Sequence, residues 1–560
     1  MRVDLLWLES FKNLRDFEVD FDLGSTRQVV VGRNGVGKSN LFEALALIFR
    51  DLDLEEKTDD EKPGFGYRIE YHCNGHFVRV ISARKKGKNN YTRTYQVAAD
   101  KGCDTLPADG RIYKPMSQSA FYKRNRQLER KGQKIPNPDR LLPLYVFGYY
   151  SGDSGRFDHI FKRHEEIYYK EQISGEEAPL RSLFLAQPHH SQFALLAFFA
   201  GDDEEAKKFL RNEFRIEGLD SVLFKLHEPY YHHKPKTKPP ASVDYRFWKV
   251  GGKVAPLLDS LFDNAFAPLH GNQRVRISLG QTKDKEHRFL FLPTEEAVRK
   301  VAKGLEPKEF FARLESGIFS DVISEDGEDV RILIDITDAD EPVPFKELSE
   351  GEQQLLTIIG LMRFTAENES LFLLDEPDTH LNPAWCLDLL ANLRDYGVEP
   401  KSSQILVTTH SPLTFAGLEK QEVVILERES DDRIISFHPT TDPRGMGFAA
   451  ILTSELFGLR AALDPETLTK LDKKRELGLK ERKSDKDRAK LAELNEELGQ
   501  LDFSHSARDP LYLEYIRAIS EAQAEDPSIK GPAPEKDKWR LRKKIAKDLA
   551  KRLLKKGVSE

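Results

Sequence analysis

The chain reads as an α/β protein built on a parallel sheet, and three stretches carry that reading. RQVVVGRNGVGKSNLFEALALIF (27–49) runs from a β-branched strand through a glycine-rich loop into an apolar helix. ESLFLLDEPDTHLNP (369–383) is an apolar strand that ends in two carboxylates. QILVTTHSP (404–412), a helix-length interval later, is another β-rich run closed by a histidine. Strands alternating with helices at these spacings stack side by side in one sheet and present their C-terminal ends together.

The loop comes first because its composition is the most constrained. Gly32, Gly37, Lys38 and Ser39 fit G-x-x-x-x-G-K-[ST] without a mismatch, with Arg33, Asn34, Gly35 and Val36 between them. Glycine at that density weakens a packed element, so the backbone must be bare for a reason. Successive N–H groups of such a loop turn toward phosphate oxygens, and the helix N-terminus adds partial positive charge. Lys38 is placed to reach the β- and γ-phosphates, and Ser39 to hold Mg²⁺. A plain glycine turn between strand and helix is the alternative, and the matched context leaves it little weight.

In the acidic strand Asp375 is placed to hold Mg²⁺ through water. Glu376 is placed to polarise the water that attacks a γ-phosphate. A strand ending in an ordinary acidic turn is the simpler reading of that piece alone. In ELSEGEQQLLTIIGLMRF (347–364), Ser349 stands at a helix N-cap with Glu352 three residues on, a capping box. Capping does not explain Gly351 in the first turn, which implies a close approach of the backbone to a ligand. His410 alone would mean little, but it closes the strand expected beside the acidic one.

Together these pieces resemble the ABC-type ATPase heads of the SMC, RecF and RecN group. The P-loop lies at 32–39, the signature at 348–353, Walker B at 371–376, the D-loop near 378–383, and His410 stands as the switch histidine. LESFKNLRDFEVDF, near the N-terminus, is similar to the opening strands of RecF-like heads. The resemblance implies an ABC-type P-loop head that takes ATP and Mg²⁺ and dimerises head to tail around two nucleotides. Ser349 and Gly351 of one subunit would contact the γ-phosphate held by the other. Asp378 would communicate between the sites, His410 would sense the γ-phosphate, and hydrolysis through Glu376 would open the clamp. Glu350 departs from transporter-type signatures, which have glycine there, and a Q-loop is expected near LPLYVFGYYSG (142–152). With ILTSELFGL (451–459), the motifs look like the antiphage-defence branch, in particular the PtuA-like ATPase subunits of Septu. That likeness implies a separate HNH nuclease gated by ATP. A RecF-like DNA repair clamp is the second reading, and a slow ATPase using ATP as a structural ligand the third. Transport ranks last.

Composition sets the frame. The 560 residues are 39% hydrophobic and 32% charged, with net charge −7, which suits two or three globular domains. No apolar run approaches the roughly 18–20 residues of a membrane span. The N-terminus does not read as a signal peptide, and Cys73, Cys103 and Cys386 lack metal-ligand spacing, so a reducing cytoplasm is expected. Four segments follow: an N-terminal lobe with the P-loop (1–154), an inserted lid (155–340), a C-terminal lobe (341–462) and a charged helical extension (463–560). Scattered prolines and the lack of heptads exclude a coiled-coil arm from the interval and point to a compact, mostly helical lid. Basic loops at 82–95, 121–134 and 232–240 read as solvated loops, with a DNA backbone as the competing use. The basic amphipathic end (536–557) suits docking on a partner, packing on its own head, a DNA contact or a membrane surface. No Toprim or HNH constellation is visible, His505 and the His189/His190 and His232/His233 pairs included.

Overall fold

The computed structural model describes residues 1–499 except 22–24, 55–63, 85–90, 100–110, 127, 131–132, 136, 153, 176–179, 202, 232–245, 279–280, 366–368, 396–402 and 481. All of the basic loop 232–240, residues 85–90 of the loop 82–95, residues 127 and 131–132 of the loop 121–134, Cys103, His505 and the helices expected beyond 499 therefore lie outside the described residues. Two compact units are distinguished: Met1–Val30 with Gly37–Thr414, and Val31–Val36 with the chain from Phe415 on.

The first unit holds three sheets of more than two strands. The RecF-like opening forms two antiparallel strands, Arg2–Phe11 and Leu14–Asp20. They lead a six-stranded antiparallel sheet completed by Tyr67–Cys73, His76–Arg84, Tyr91–Ala99 and Lys114–Met116. Leu6, Leu8, Phe17, Val19, Tyr67, Ile69 and Tyr71 are all buried there.

The second sheet positions the site. Its strands run Leu183–Leu185, Tyr145–Tyr150, Ser370–Asp375, Gln404–Thr409, then Arg27–Val31. Tyr145–Tyr150 pairs in parallel with both Leu183–Leu185 and the acidic strand. The acidic strand pairs in parallel with Gln404–Thr409, Asp375 opposite Thr408. All six residues of each of these last two strands are buried, as expected of a sheet covered on both faces. The apolar helix His190–Ala200 is buried at every position but its last.

The interval 155–340 is not the mostly helical lid expected. Helices are present, at Asp158–Ile173, His190–Ala200, Glu204–Phe214, Ala255–Asn264, Glu295–Val301 and Pro307–Phe319. Beside them stands a five-stranded antiparallel sheet in the order Phe266–Ser278, Gln281–Leu292, Ile216–His227, Val330–Ile336, Val343–Pro344. Leu183–Leu185, from the same interval, belongs to the parallel sheet.

The second unit carries the first half of the glycine loop, an antiparallel hairpin of Val423–Arg428 and Ile434–Phe437, and the short helix Phe448–Thr453. Two charged helices follow, Pro465–Gly478 and Asp485–Gly499, within the extension expected from 463. No described helix is long and apolar enough to cross a membrane.

Candidate functional site

Arg27–Val31 delivers the chain into the loop, and the helix Lys38–Asp53 takes it away. Gly35 (φ 83°) and Gly37 (φ 99°) adopt the left-handed backbone that L side chains resist. Within the second unit, the Val36 N–H donates to Arg33 O (3.3 Å) and Arg428 Nη2 donates to Gly35 O (3.1 Å). A Cβ on Gly32 would stand 2.5 Å from Leu426 O. Within the first unit, a Cβ on Gly37 would meet Leu14 and Asn13 at 2.8 and 2.9 Å. The conformation, and not only the spacing, therefore requires glycines.

Lys38 is only 6% exposed. Burial pushes its ammonium pKa down, opposed by the charges of Glu376 and Asp375. Asp375 is fully buried, and burial pushes its carboxyl up. It accepts hydrogen bonds from Thr408 Oγ1 and from the Ser39 side chain. Its Oδ2 has no hydrogen-bond partner among the described residues. A buried carboxylate with a vacant oxygen beside the Ser39 hydroxyl is an oxygen donor set that fits Mg²⁺. Ser39 and Asp375 would hold that ion, which would supply charge neutralisation at phosphate oxygens.

Glu376, the next residue, has φ +55°. Its N–H is held by Thr408 O (3.0 Å) and Thr408 Oγ1 (3.1 Å). A non-glycine residue pays for that backbone, so the neighbouring strand fixes the carboxylate's exit direction. Glu376 Oε1 lies 3.3 Å from His410 Nδ1, and both side chains keep solvent access. The first unit thus brings Lys38, Ser39, Asp375, Glu376 and His410 to one end of the sheet.

Ser349 and Glu352 form the expected capping box: Ser349 N–H and Oγ each donate to Glu352 at 2.7 Å, and Glu352 N–H donates to Ser349 Oγ at 3.3 Å. Gly351 also has a reason within its own chain. A Cβ there would stand 2.5 Å from the carbonyl oxygen of His380, so the glycine admits the D-loop backbone of the same chain. Asp378 is 5% exposed and accepts from Thr409 Oγ1 and from Thr414 Oγ1 (2.8 Å). Its carboxylate faces inward and braces the turn after Gln404–Thr409. His380 and Glu350, 3.3 Å apart, are exposed in this region, as are Ser349 and Thr379.

Several contributors escaped the sequence reading. Thr408 orders both acidic residues, and Gln354 Nε2 donates to Pro377 O, tying the signature helix to the acidic loop. Arg156 donates to Glu43 and Asn40 of the P-loop helix, and Lys12 also donates to Glu43. Segment 142–152, where a Q-loop was expected, contains no glutamine. Ser151 follows its strand there and donates its N–H to Asp375 O at 3.3 Å. Asn40 also donates to Asn13 Oδ1 at 2.5 Å, and Lys12 and Asn13 stand in the FKN of the opening strands.

His189, His190 and Glu315 form a buried cluster with their ligand atoms close together. The hydrogen bonds argue against a metal. Gln187 N–H donates to His190 Nδ1 (2.7 Å), which leaves the ring proton on Nε2, 2.8 Å from Glu315 Oε2. Arg181 Nη1 donates to the other oxygen at 2.8 Å. The carboxylate is neutralised within the protein, and the cluster clasps the helices His190–Ala200 and Pro307–Phe319.

Comparison with known proteins agrees with this geometry. Residues 6–226 match a family described as "AAA domain", and residues 245–416 one described as "AAA domain, putative AbiEii toxin, Type IV TA system". The chain is 32% identical over 122 residues to the Septu protein PtuA of Bacillus mycoides (strain KBAB4), covering 20% of the chain and 17% of that relative. It is 30% identical over 117 residues to the DNA replication and repair protein RecF of Lactobacillus acidophilus, covering 19% and 30%. To RecF of Desulfitobacterium hafniense (strain DSM 10664 / DCB-2) it is 33% identical over 78 residues, covering 14% and 20%. Each match spans less than a third of the relative's length. The expected likeness to SMC/RecF-like ATPases near PtuA is borne out.

Proposed function

We propose that this chain, which carries AAA-type ATPase domains and is similar in part to Septu PtuA and to RecF, is the ATP-binding and hydrolysing subunit of a bacterial antiphage defence complex. In this reading two copies close around ATP, and the closed state gates a separate HNH-type nuclease. The observation that carries the ATPase part is the grouping of Lys38, Ser39, Asp375, Glu376 and His410 at the end of one parallel sheet. Such sheets bind ligands at the carboxyl ends of their strands. Lys38 binds phosphate, Ser39 and Asp375 hold Mg²⁺, Glu376 accepts a proton from the attacking water, and His410 orients Glu376. The cytoplasm is the compartment that fits.

The defence assignment rests on the likeness to PtuA, and the RecF matches support a DNA repair clamp as the second reading. Lys38→Ala should abolish ATP binding in a filter or fluorescence assay; retained binding overturns the site. Affinity purification of the tagged chain from its native cell distinguishes the two assemblies. A stoichiometric small nuclease supports the defence complex. Recovery with replication and repair factors, or alone, moves the weight to the clamp.

A further inference from the structure

Strand Tyr145–Tyr150 lies beside the acidic strand, with Tyr150 opposite Asp375. Where the chain leaves that strand it touches both halves of the nucleotide site. Ser151 donates its N–H to Asp375 O (3.3 Å), and its hydroxyl lies 3.2 Å from Thr379 Oγ1. Further on, just ahead of the helix Asp158–Ile173, Arg156 reaches the P-loop helix. Its Nε donates to Glu43 Oε1 and its Nη2 to Asn40 Oδ1. Gly155, at φ +59°, supplies the left-handed backbone that precedes it.

The partners stand where the site needs support. Asn40 follows Ser39 directly, and Glu43 is one helical turn beyond Ser39 on the same face. Arg156 therefore holds the turn of helix that carries Ser39. Asn40 donates in its turn to Asn13 Oδ1 (2.5 Å), and Lys12, in the same turn between the opening strands, donates to Glu43.

Charge balance does not require both cations. Glu43 is fully buried, and either Lys12 or Arg156 would neutralise it. A buried ion cluster also adds little stability over a well-packed apolar side chain. What a guanidinium adds is direction: it is planar, and one edge of it fixes two acceptors at once, which an ammonium cannot do. Arg156 also stands close enough for its charge to act on the Asp375 carboxyl, against the upward push of burial. The other end of the helix gives the contrast. About 15 Å on, at ~1.5 Å per residue, Asp53 is held by Arg140 (2.5 Å) and His164 (3.1 Å), a clasp away from the site residues.

We propose that Arg156 is a positioning residue of the ATPase site: it sets the first turn of the P-loop helix against the acidic strand, so that Ser39 and Asp375 converge on one Mg²⁺. The inference rests on the reading of this end of the sheet as the nucleotide site.

The test is the affinity of the full chain for a fluorescent ATP analogue, measured in Mg²⁺ and again in EDTA. The comparisons are Arg156→Ala, Arg156→Lys, Asn40→Ala and His164→Gln. The wild type should bind more tightly with Mg²⁺. Arg156→Ala should lose about ten-fold of that gain, the cost of removing a group that orients a metal ligand, and keep its affinity in EDTA. Arg156→Lys retains the charge but not the two-acceptor edge, and should not restore the gain. Asn40→Ala leaves no buried charge and keeps the test open should Arg156→Ala fail to fold; it should lose part of the gain. His164→Gln should lower the melting temperature and leave the gain as in wild type. A wild-type gain in Arg156→Ala or Asn40→Ala, or full restoration by lysine, would overturn the proposal. So would an equal loss in His164→Gln, since any brace on the helix would then serve, or a loss in EDTA as large as that in Mg²⁺. A wild type that binds the analogue with no gain from Mg²⁺ overturns it as well. A wild type that binds no nucleotide at all overturns the site reading itself, which Lys38→Ala tests separately.

Discussion

Replacing Glu376 by glycine and by alanine separates its chemistry from its backbone. Both variants lose the carboxylate and its 3.3 Å approach to His410, so both should lose hydrolysis alike. The loss of a positioned general base predicts a fall of about 10²–10⁴-fold. Their stabilities should differ. Glu376 has φ +55°, where a Cβ costs roughly 1–2 kcal/mol. At an ordinary position, alanine is the more stable of the two by about 0.4–1 kcal/mol, because glycine has more freedom to lose. Here the strain is the larger effect, and Glu376→Gly should exceed Glu376→Ala by about 1 kcal/mol. In a unit of this size that is a difference of about 2 °C or less in melting temperature. Paired denaturant titrations read it more cleanly. An alanine variant as stable as the glycine one, or more so, refutes the strain argument. Hydrolysis within ten-fold of wild type in both refutes Glu376 as the base.

Other outcomes follow from the same geometry. Gly351→Ala should gain about 1 kcal/mol of helix propensity but force a Cβ to 2.5 Å from His380 O, an overpacking cost of roughly 1–3 kcal/mol. Its melting temperature should fall, whereas Gly478→Ala, which meets nothing within 4 Å, should hold or rise; the opposite ordering would refute the D-loop contact. The His190 clasp predicts an acid-side loss of stability. Burial holds the imidazole down at about 4, from an ordinary 6.5. The unfolded chain therefore takes up a proton first, and stability falls as pH drops from 6.5 toward 4, by up to about 1.4 kcal/mol per pH unit. Glu315, held well below the usual carboxylate range despite its burial by His190 and Arg181, extends the loss to lower pH. In melts from pH 7 to 4, His190→Gln should show a shallower decline than wild type; parallel curves would remove His190 as the cause.

What could be read from the chain divides by how local the chemistry is. The glycine loop was legible because its requirement is written in consecutive residues: Gly35 and Gly37 do take left-handed backbone, and Lys38 does open the helix. The Ser349–Glu352 box was legible for the same reason, its two partners standing one helical turn apart. Gly351 was half legible. Sequence showed that something must come close, but the neighbour, the His380 carbonyl, is supplied by the tertiary fold. Arg156 left no local signal, since its partner Glu43 is 113 positions away. The sheet in the middle interval was missed for a physical reason. Its supporting strand IEGLDSVLFKLH breaks alternation with Gly218 and with two register shifts against Val330–Ile336. Its hairpin carries HGNQRVRIS opposite QTKDKEHR, polar along its outer half, where Asn272, Gln273, Arg274, Thr282, Lys283 and Asp284 are exposed. Hydrophobic periodicity reports burial, so strands that project into solvent do not display it.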